Sequence, residues 1–216
     1  MRIRKIEIDY GHGKKIVDFR KDGAYPSPLI GILGNTGSGK TLLMKSTLFL
    51  FRRMATNNVP VLWDKLSSTV EFDLGSTIST GVIKKGVITQ NIADPDSRTS
   101  KLRYENGLLI YDDRRYISGF MAGSEFSVAS IEGVIKDLYK GEIRNSVIWV
   151  DNYDLGLDNK NSRDFLQLLM KKSLERDNQL VVSSTREESL ELLGVENLRR
   201  LSENRESVVE RVTKSL

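Results

Sequence analysis

The sequence predicts an α/β sandwich with a mostly parallel central sheet, preceded by an antiparallel β part and interrupted by a β-rich stretch. Three observations carry that prediction. A continuous apolar run, Leu29 to Leu33, leads directly into Gly34-Asn35-Thr36-Gly37-Ser38-Gly39-Lys40-Thr41, and an amphipathic run, Leu42 to Met54, follows. Two further apolar runs, Ser146 to Val150 and Leu180 to Ser183, have the unbroken character of strands buried on both faces. Stretches of helical period stand beside them, and strands alternating with helices build layered α/β folds.

Taken in order, Arg2 to Asp9 alternates as a strand with Ile6 and Ile8 on one face, and Lys14 to Phe19 forms a second strand joined through Gly11 and Gly13. Arg20 to Pro28 contains Gly23, Pro26 and Pro28 and reads as a loop. A helix is expected from about Gly39 to about Asn57, with Leu43, Leu50 and Met54 along one side. Residues 59–120 change texture: short apolar patches are separated by Gly, Ser, Asp and Asn. Glu105-Asn106-Gly107 signals a hairpin between Leu102-Arg103-Tyr104 and Leu108-Leu109-Ile110. This section is expected as a β-rich insertion, with residues 1–58 and 121–216 forming the nucleotide-binding core of a single domain. Ser127 to Lys140 has helical period, with Val128, Ile131, Val134, Ile135 and Leu138 on one face. Ser162 to about Asp177 is a helix with Phe165, Leu168, Leu169 and Leu174 inward. Glu187 to Leu193 is a short helix stopped by Gly194, and Leu198 to Val212 stays open between a hairpin around Asn204 and a mixed end.

Composition sets the bounds. With 216 residues, 39% hydrophobic and 29% charged, the chain has the make-up of one soluble domain with a substantial core. The net charge of +4 permits nucleic acid or an acidic surface as partner without arguing for either. The lack of cysteine excludes disulfides and thiolate metal sites, and a single histidine, His12, excludes a multi-histidine centre. No apolar run approaches the length of a membrane span, so no membrane insertion is expected. Met1-Arg2-Ile3-Arg4-Lys5 lacks the apolar segment of a signal peptide, so the expected location is cytoplasmic.

The Gly34–Thr41 segment is a G-x-x-x-x-G-K-[ST] phosphate-binding loop with strand before it and helix after it, which makes the fold a P-loop NTPase sandwich. A polyphosphate needs many donors at close range. Glycines let the backbone curl into a nest of N–H groups, and the following helix points its positive end at the phosphates. In this motif Lys40 reaches the β- and γ-phosphates of ATP and the Thr41 hydroxyl ligates Mg²⁺. The second constellation is Val147-Ile148-Trp149-Val150-Asp151, an apolar strand ending in an acid, which suits Asp151 as the second Mg²⁺ partner.

Asp151-Asn152-Tyr153-Asp154-Leu155-Gly156-Leu157-Asp158 resembles the D-E-x-x-x-x-L-D segment of ABC-class ATPases, including the spacing of seven from Asp151 to Asp158. The opening, Met1 to Ile8, resembles the first strand of the SMC and RecF branch. The resemblance covers about residues 1–57 and 120–216. It implies ATP and Mg²⁺ as cofactors, a homodimer with nucleotide at its interface, and several further roles. Tyr10, 24 residues before Gly34, is near the place of an adenine-stacking aromatic, and equally reads as a surface tyrosine at a strand end. Gln90, 50 residues after Lys40, resembles the Q-loop glutamine that touches Mg²⁺ and the attacking water. Asp158 takes the place of the D-loop acid at the dimer seam. For the signature segment two candidates stay open: Phe126-Ser127-Val128-Ala129-Ser130, in which Ser127 keeps the hydroxyl that meets a partner's γ-phosphate, and Met121-Ala122-Gly123-Ser124-Glu125.

The chain also departs from the pattern. The family's catalytic Glu is replaced by Asn152, and an amide orients a water but cannot take its proton at neutral pH. The family's switch histidine would fall near Thr185, and this chain has no histidine there. ATP binding with slow hydrolysis is therefore the first expectation. A pseudo-ATPase switch, a hexameric DNA-pumping motor of the FtsK/HerA type and a transporter ATPase subunit are the alternatives.

Overall fold

The computed structural model describes residues 2–9, 13–44, 46–47, 67–74, 77–84, 87–92, 103–105, 108–111, 114–121, 144 and 147–201. Two main sheets organise them. The first is antiparallel and begins with β1 (Arg2–Asp9) and β2 (Lys14–Asp18). Ile3, Ile6 and Ile8 of β1 are fully buried, so its alternation sends one apolar face inward, with a register shift between Ile3 and Lys5. On the far side of β1 the sheet continues through β6 (Ser67–Leu74), β7 (Thr77–Lys84) and β8 (Val87–Ile92), in the order β2-β1-β6-β7-β8. The loop expected at 20–28 carries a small antiparallel pair, β3 (Arg20–Lys21) and β4 (Tyr25–Pro26).

The second sheet has seven strands. Its parallel part is β5 (Leu29–Leu33), β11 (Arg114–Met121), β12 (Val147–Val150), β13 (Gln179–Ser184) and β14 (Leu198–Arg200). The hairpin β9 (Arg103–Glu105) and β10 (Leu108–Tyr111) completes it, in the order β14-β5-β13-β12-β11-β10-β9. Leu108 pairs with Glu105, the register that an Asn106-Gly107 turn requires. Every residue of β5, β12 and β13 is buried, as their unbroken apolar runs require.

Among the described residues two α-helices flank this sheet. Helix α1 starts at residue 40 and is described at 40–44 and 46–47, where Leu43 and Met44 are buried. Helix α2 (Asn159–Leu174) packs Phe165, Leu166 and Leu169 with Leu29, Leu33, Ile148, Val150, Leu180 and Val182. The two sheets are tied together from both sides. Phe19, just after β2, meets Trp149 of β12 edge to face with ring centroids 6.0 Å apart. Gln179 accepts from the Ile3 N–H at 2.6 Å and donates to the Ile3 and Ser27 carbonyls, both at 2.9 Å.

The fold corrects several expectations. Within 59–120 the described strands join both sheets: β6 to β8 extend the sheet that β1 starts, and β11 pairs in parallel with β12 inside the central sheet. Helix α2 begins at Asn159 rather than Ser162, because Asp158 caps it. Leu174 is 49% exposed rather than inward, while Ser162 and Ser173 occupy the buried face. The short helix expected over 187–193 is a 3₁₀ helix, Glu188–Leu193, and ends at Gly194 with φ 79°. Leu50, Met54, the 127–140 helix and the end beyond 201 lie outside the described residues.

Candidate phosphate-binding site

Parallel pairing puts the carboxyl ends of β5, β12 and β13 on one edge, the usual ligand edge of a parallel α/β sheet. The phosphate loop leaves β5 there. The Gly34 N–H donates to the Ser184 carbonyl at 3.2 Å, the Ser38 N–H to the Asn35 carbonyl at 3.1 Å, and the Leu43 N–H to the Gly39 carbonyl at 3.0 Å, which starts α1. Gly37 and Gly39 have φ of 84° and 95°, a region open to glycine. Gly34 is needed for space: a Cβ there would lie 2.5 Å from Ser38 Oγ and 3.1 Å from Leu201 Cβ.

Lys40 is 5% exposed, and its ammonium donates to the carbonyls of Gly34 at 2.6 Å and Asn35 at 3.0 Å. Burial pushes its pKa down, and the nearby Asp151 and Asp154 pull it back. A second lysine, Lys15 of β2, donates to the Ser38 carbonyl at 2.5 Å. The Ser38 hydroxyl is buried and has no hydrogen-bond partner among the described residues. An unpartnered donor inside a loop of this shape fits a phosphate oxygen as its acceptor.

Asp151 follows β12 and is 1% exposed. Its carboxylate accepts from the Thr41 hydroxyl at 2.5 Å and from the Ser183 hydroxyl at 2.5 Å. Ser183 Oγ in turn accepts from the Asn152 N–H at 2.8 Å. Thr41 and Asp151 thus offer adjacent hard oxygen ligands at the start of α1, the donor set that Mg²⁺ prefers. Asn152 has φ 47°, a left-handed conformation that asparagine tolerates better than most residues.

The turn from Asp151 to α2 is closed by the Leu155 N–H to the Asn152 carbonyl, 2.9 Å, and the Leu157 N–H to the Asp154 carbonyl, 3.1 Å. Tyr153 is buried below it, and its hydroxyl donates to the Ser189 carbonyl; burial raises its pKa well above the usual phenol value. Asp154 is buried and accepts from Ser184 Oγ at 2.7 Å and Arg186 Nε at 2.8 Å. Asp158 is exposed and caps α2 by accepting from the Asn161 N–H at 2.7 Å and its side-chain amide at 2.8 Å. The Asn161 backbone bond holds this carboxylate below the ordinary aspartate range. Thr36 of the phosphate loop, Asn152, Thr185 and the turn enclose an open cleft of about 320 Å³.

The structure therefore brings together Gly34, Asn35, Thr36, Gly37, Ser38, Gly39, Lys40 and Thr41 with Asp151 and Asn152. Asp158 lies at the far end of the turn. Gln90 is on β8, at the end of the five-stranded sheet, paired opposite Gly81. Tyr10 and Ser127 lie outside the described residues, as does the alternative signature segment beyond Met121. Sequence reading missed Lys15, Ser183, Ser184 and Arg186. The polar run Ser183-Ser184-Thr185-Arg186, where a buried strand reaches the ligand edge, was the available signal.

No family model matches the chain, and no curated protein matches it. Among solved structures it is similar to the head of an SMC protein bound to the C-winged helix domain of ScpA. That match has a TM-score of 0.56 and 13% identity over 88% of this chain and 91% of the other. It is also similar to the SMC head domain from Thermotoga maritima, with a TM-score of 0.54 and 16% identity over 93% and 94%. The chain thus shares the α/β fold of SMC head domains. Among the described residues no helix is long and apolar enough to cross a membrane.

Proposed function

We propose that this chain is an ATP-binding protein of the SMC/RecF-like ABC class that dimerises on Mg-ATP and hydrolyses it slowly in the cytoplasm. The observation that carries this reading is the contact between the Thr41 hydroxyl and the Asp151 carboxylate beside a complete phosphate loop. Residues 34–41 hold the phosphates, with Lys40 and the Ser38 hydroxyl as donors, and Thr41 and Asp151 hold Mg²⁺. The bound metal supplies charge neutralisation at the phosphoryl oxygens.

Asn152 stands where the class keeps its base, so it orients a water and leaves proton removal without a strong acceptor. Gln90 as a metal and water contact, Tyr10 as an adenine platform, Ser127 as a trans-acting hydroxyl and Asp158 at the seam belong to the same proposal, with all 216 residues acting as one ATPase domain. In this proposal a second copy closes the open side of the nucleotide, since a copy of the same chain is the simplest symmetric partner. Nucleic acid enters the proposal only as a partner that the net charge of +4 permits.

The second reading, a nucleotide switch with no turnover, is favoured by Asn152 alone. Light scattering with and without Mg-ATP, run beside phosphate release, tests both. A Mg-ATP dimer with slow release supports the first reading. A Mg-ATP dimer with no release above a Lys40→Ala control supports the second. A strict monomer or a six-membered ring refutes the self-dimer.

A further inference from the structure

Arg186 follows β13 by two residues, and four of its side-chain hydrogen bonds go to one short stretch of chain. Its Nε donates to Asp154 Oδ2 at 2.8 Å, and one terminal nitrogen donates to the carbonyls of Asp154 at 3.1 Å and Leu157 at 3.3 Å. The other terminal nitrogen donates to Asn159 Oδ1 at 3.1 Å. The Ser184 hydroxyl holds the same Asp154 oxygen at 2.7 Å and accepts from the Arg186 N–H at 2.8 Å. The anchor is firm because β13 is buried throughout and Asp154 is only 5% exposed.

From this we infer that Arg186 is a positioning residue: it clamps the 154–159 turn to the end of β13 and so sets the shape of the rim of the cleft that it shares with the phosphate loop. The rim carries Leu155, 60% exposed, and Gly156 with φ 79°, which line the same cleft as Thr36. An apolar side chain held outward on a braced turn beside the phosphate loop suits contact with a second copy of the chain. The planar guanidinium fork is suited to this task, since one group satisfies a carboxylate and three further oxygens in a fixed geometry. A lysine keeps the charge beside Asp154 and cannot reach all four acceptors. The docking half of this inference rests on the proposed dimer; the clamping half does not.

The test uses hydrogen exchange on the whole chain for wild type, Arg186→Ala and Arg186→Lys, followed by light scattering with Mg-ATP. The expected result is exchange at the Leu155 and Leu157 amides about tenfold or more faster in the alanine variant, with β12 and β13 amides unchanged. The lysine variant should keep the wild-type melting temperature and still open the turn. Unchanged exchange at Leu155 and Leu157, or a uniform rise across β12 and β13, overturns the clamp. In association, the alanine variant should lose more affinity for its second copy than it loses for ATP. A proportionate loss of both overturns the docking role. If wild type itself fails to associate, the dimer proposal and the docking role fall together, and exchange alone decides the clamp.

Discussion

Thr41 and Asp151 are 110 residues apart in sequence and 2.5 Å apart in space, hydroxyl to carboxylate. The contact joins the first turn of α1 to the end of β12 and sets side by side the two oxygens proposed to hold Mg²⁺. Thr41→Val keeps the shape and removes one of them. Mg-ATP affinity should fall about tenfold or more, equivalent to roughly 1.4 kcal/mol, with little change when the metal is chelated. Calorimetric titration in Mg²⁺ and in chelator checks this; equal losses under both conditions contradict the metal role.

Asn152 couples chemistry to backbone. A general base contributes about 10²–10⁴-fold in rate, so Asn152→Glu should raise phosphate release by a measurable part of that factor. The same change puts an unsuited side chain at φ 47° and should cost about 1 kcal/mol of stability. Asn152→Gly should relieve strain without raising turnover. Single-turnover rates and thermal melts of the three proteins separate the two effects.

Gly34→Ala tests the space argument. Its Cβ would lie 2.5 Å from Ser38 Oγ, so the loop must shift before any ligand arrives. ATP affinity should fall by about tenfold or more with the fold intact, as judged by circular dichroism. An affinity equal to wild type would show that the loop relaxes at no cost.

Gln179→Leu strips the partners from the Ile3 amide, the Ile3 carbonyl and the Ser27 carbonyl in a buried seam. Each orphaned polar group costs about 1–3 kcal/mol, so the variant should lose on the order of 3 kcal/mol or more. Urea unfolding gives the number directly, and a loss below about 1 kcal/mol would mean the two sheets are joined mainly by apolar contact.

Asp158 makes helix α2 sensitive to acid. Its carboxylate pKa is lowered in the folded chain, so its contribution is complete above the ordinary aspartate value near 3.8 and is lost as pH falls through the lower folded value. Asn also caps helices and carries no charge. The melting-temperature gap between wild type and Asp158→Asn should therefore shrink as pH drops below about 4. A gap independent of pH would show that the charge contributes nothing.

The local elements were legible because their constraints are local. Leu29 to Leu33, Val147 to Val150 and Leu180 to Val182 are apolar without interruption because both faces of each strand are covered. The phosphate loop announced itself because Gly37 and Gly39 must take positive φ and Gly34 must lack a Cβ. Capping by Asp158 was visible only as a spacing, and it moved the start of α2 by three residues.

The sequence by itself determined the buried strand Leu29–Leu33, the Gly34–Thr41 loop and helix start after it, and the buried strand Val147–Val150 that runs into Asp151. Only the tertiary structure decided which distant segments meet them. Alternation in 59–120 specifies a face and not a partner; the pairing of β6 with β1 and of β11 with β12 is what ties the described strands of this stretch to both sheets. Ser183 and Arg186 are an ordinary polar run until parallel register carries them to the edge where Asp151 and Asp154 end their own strand. Hydrogen bonds across 30 residues or more leave no period in the chain, so the brace around the site appears only when the strands are set side by side.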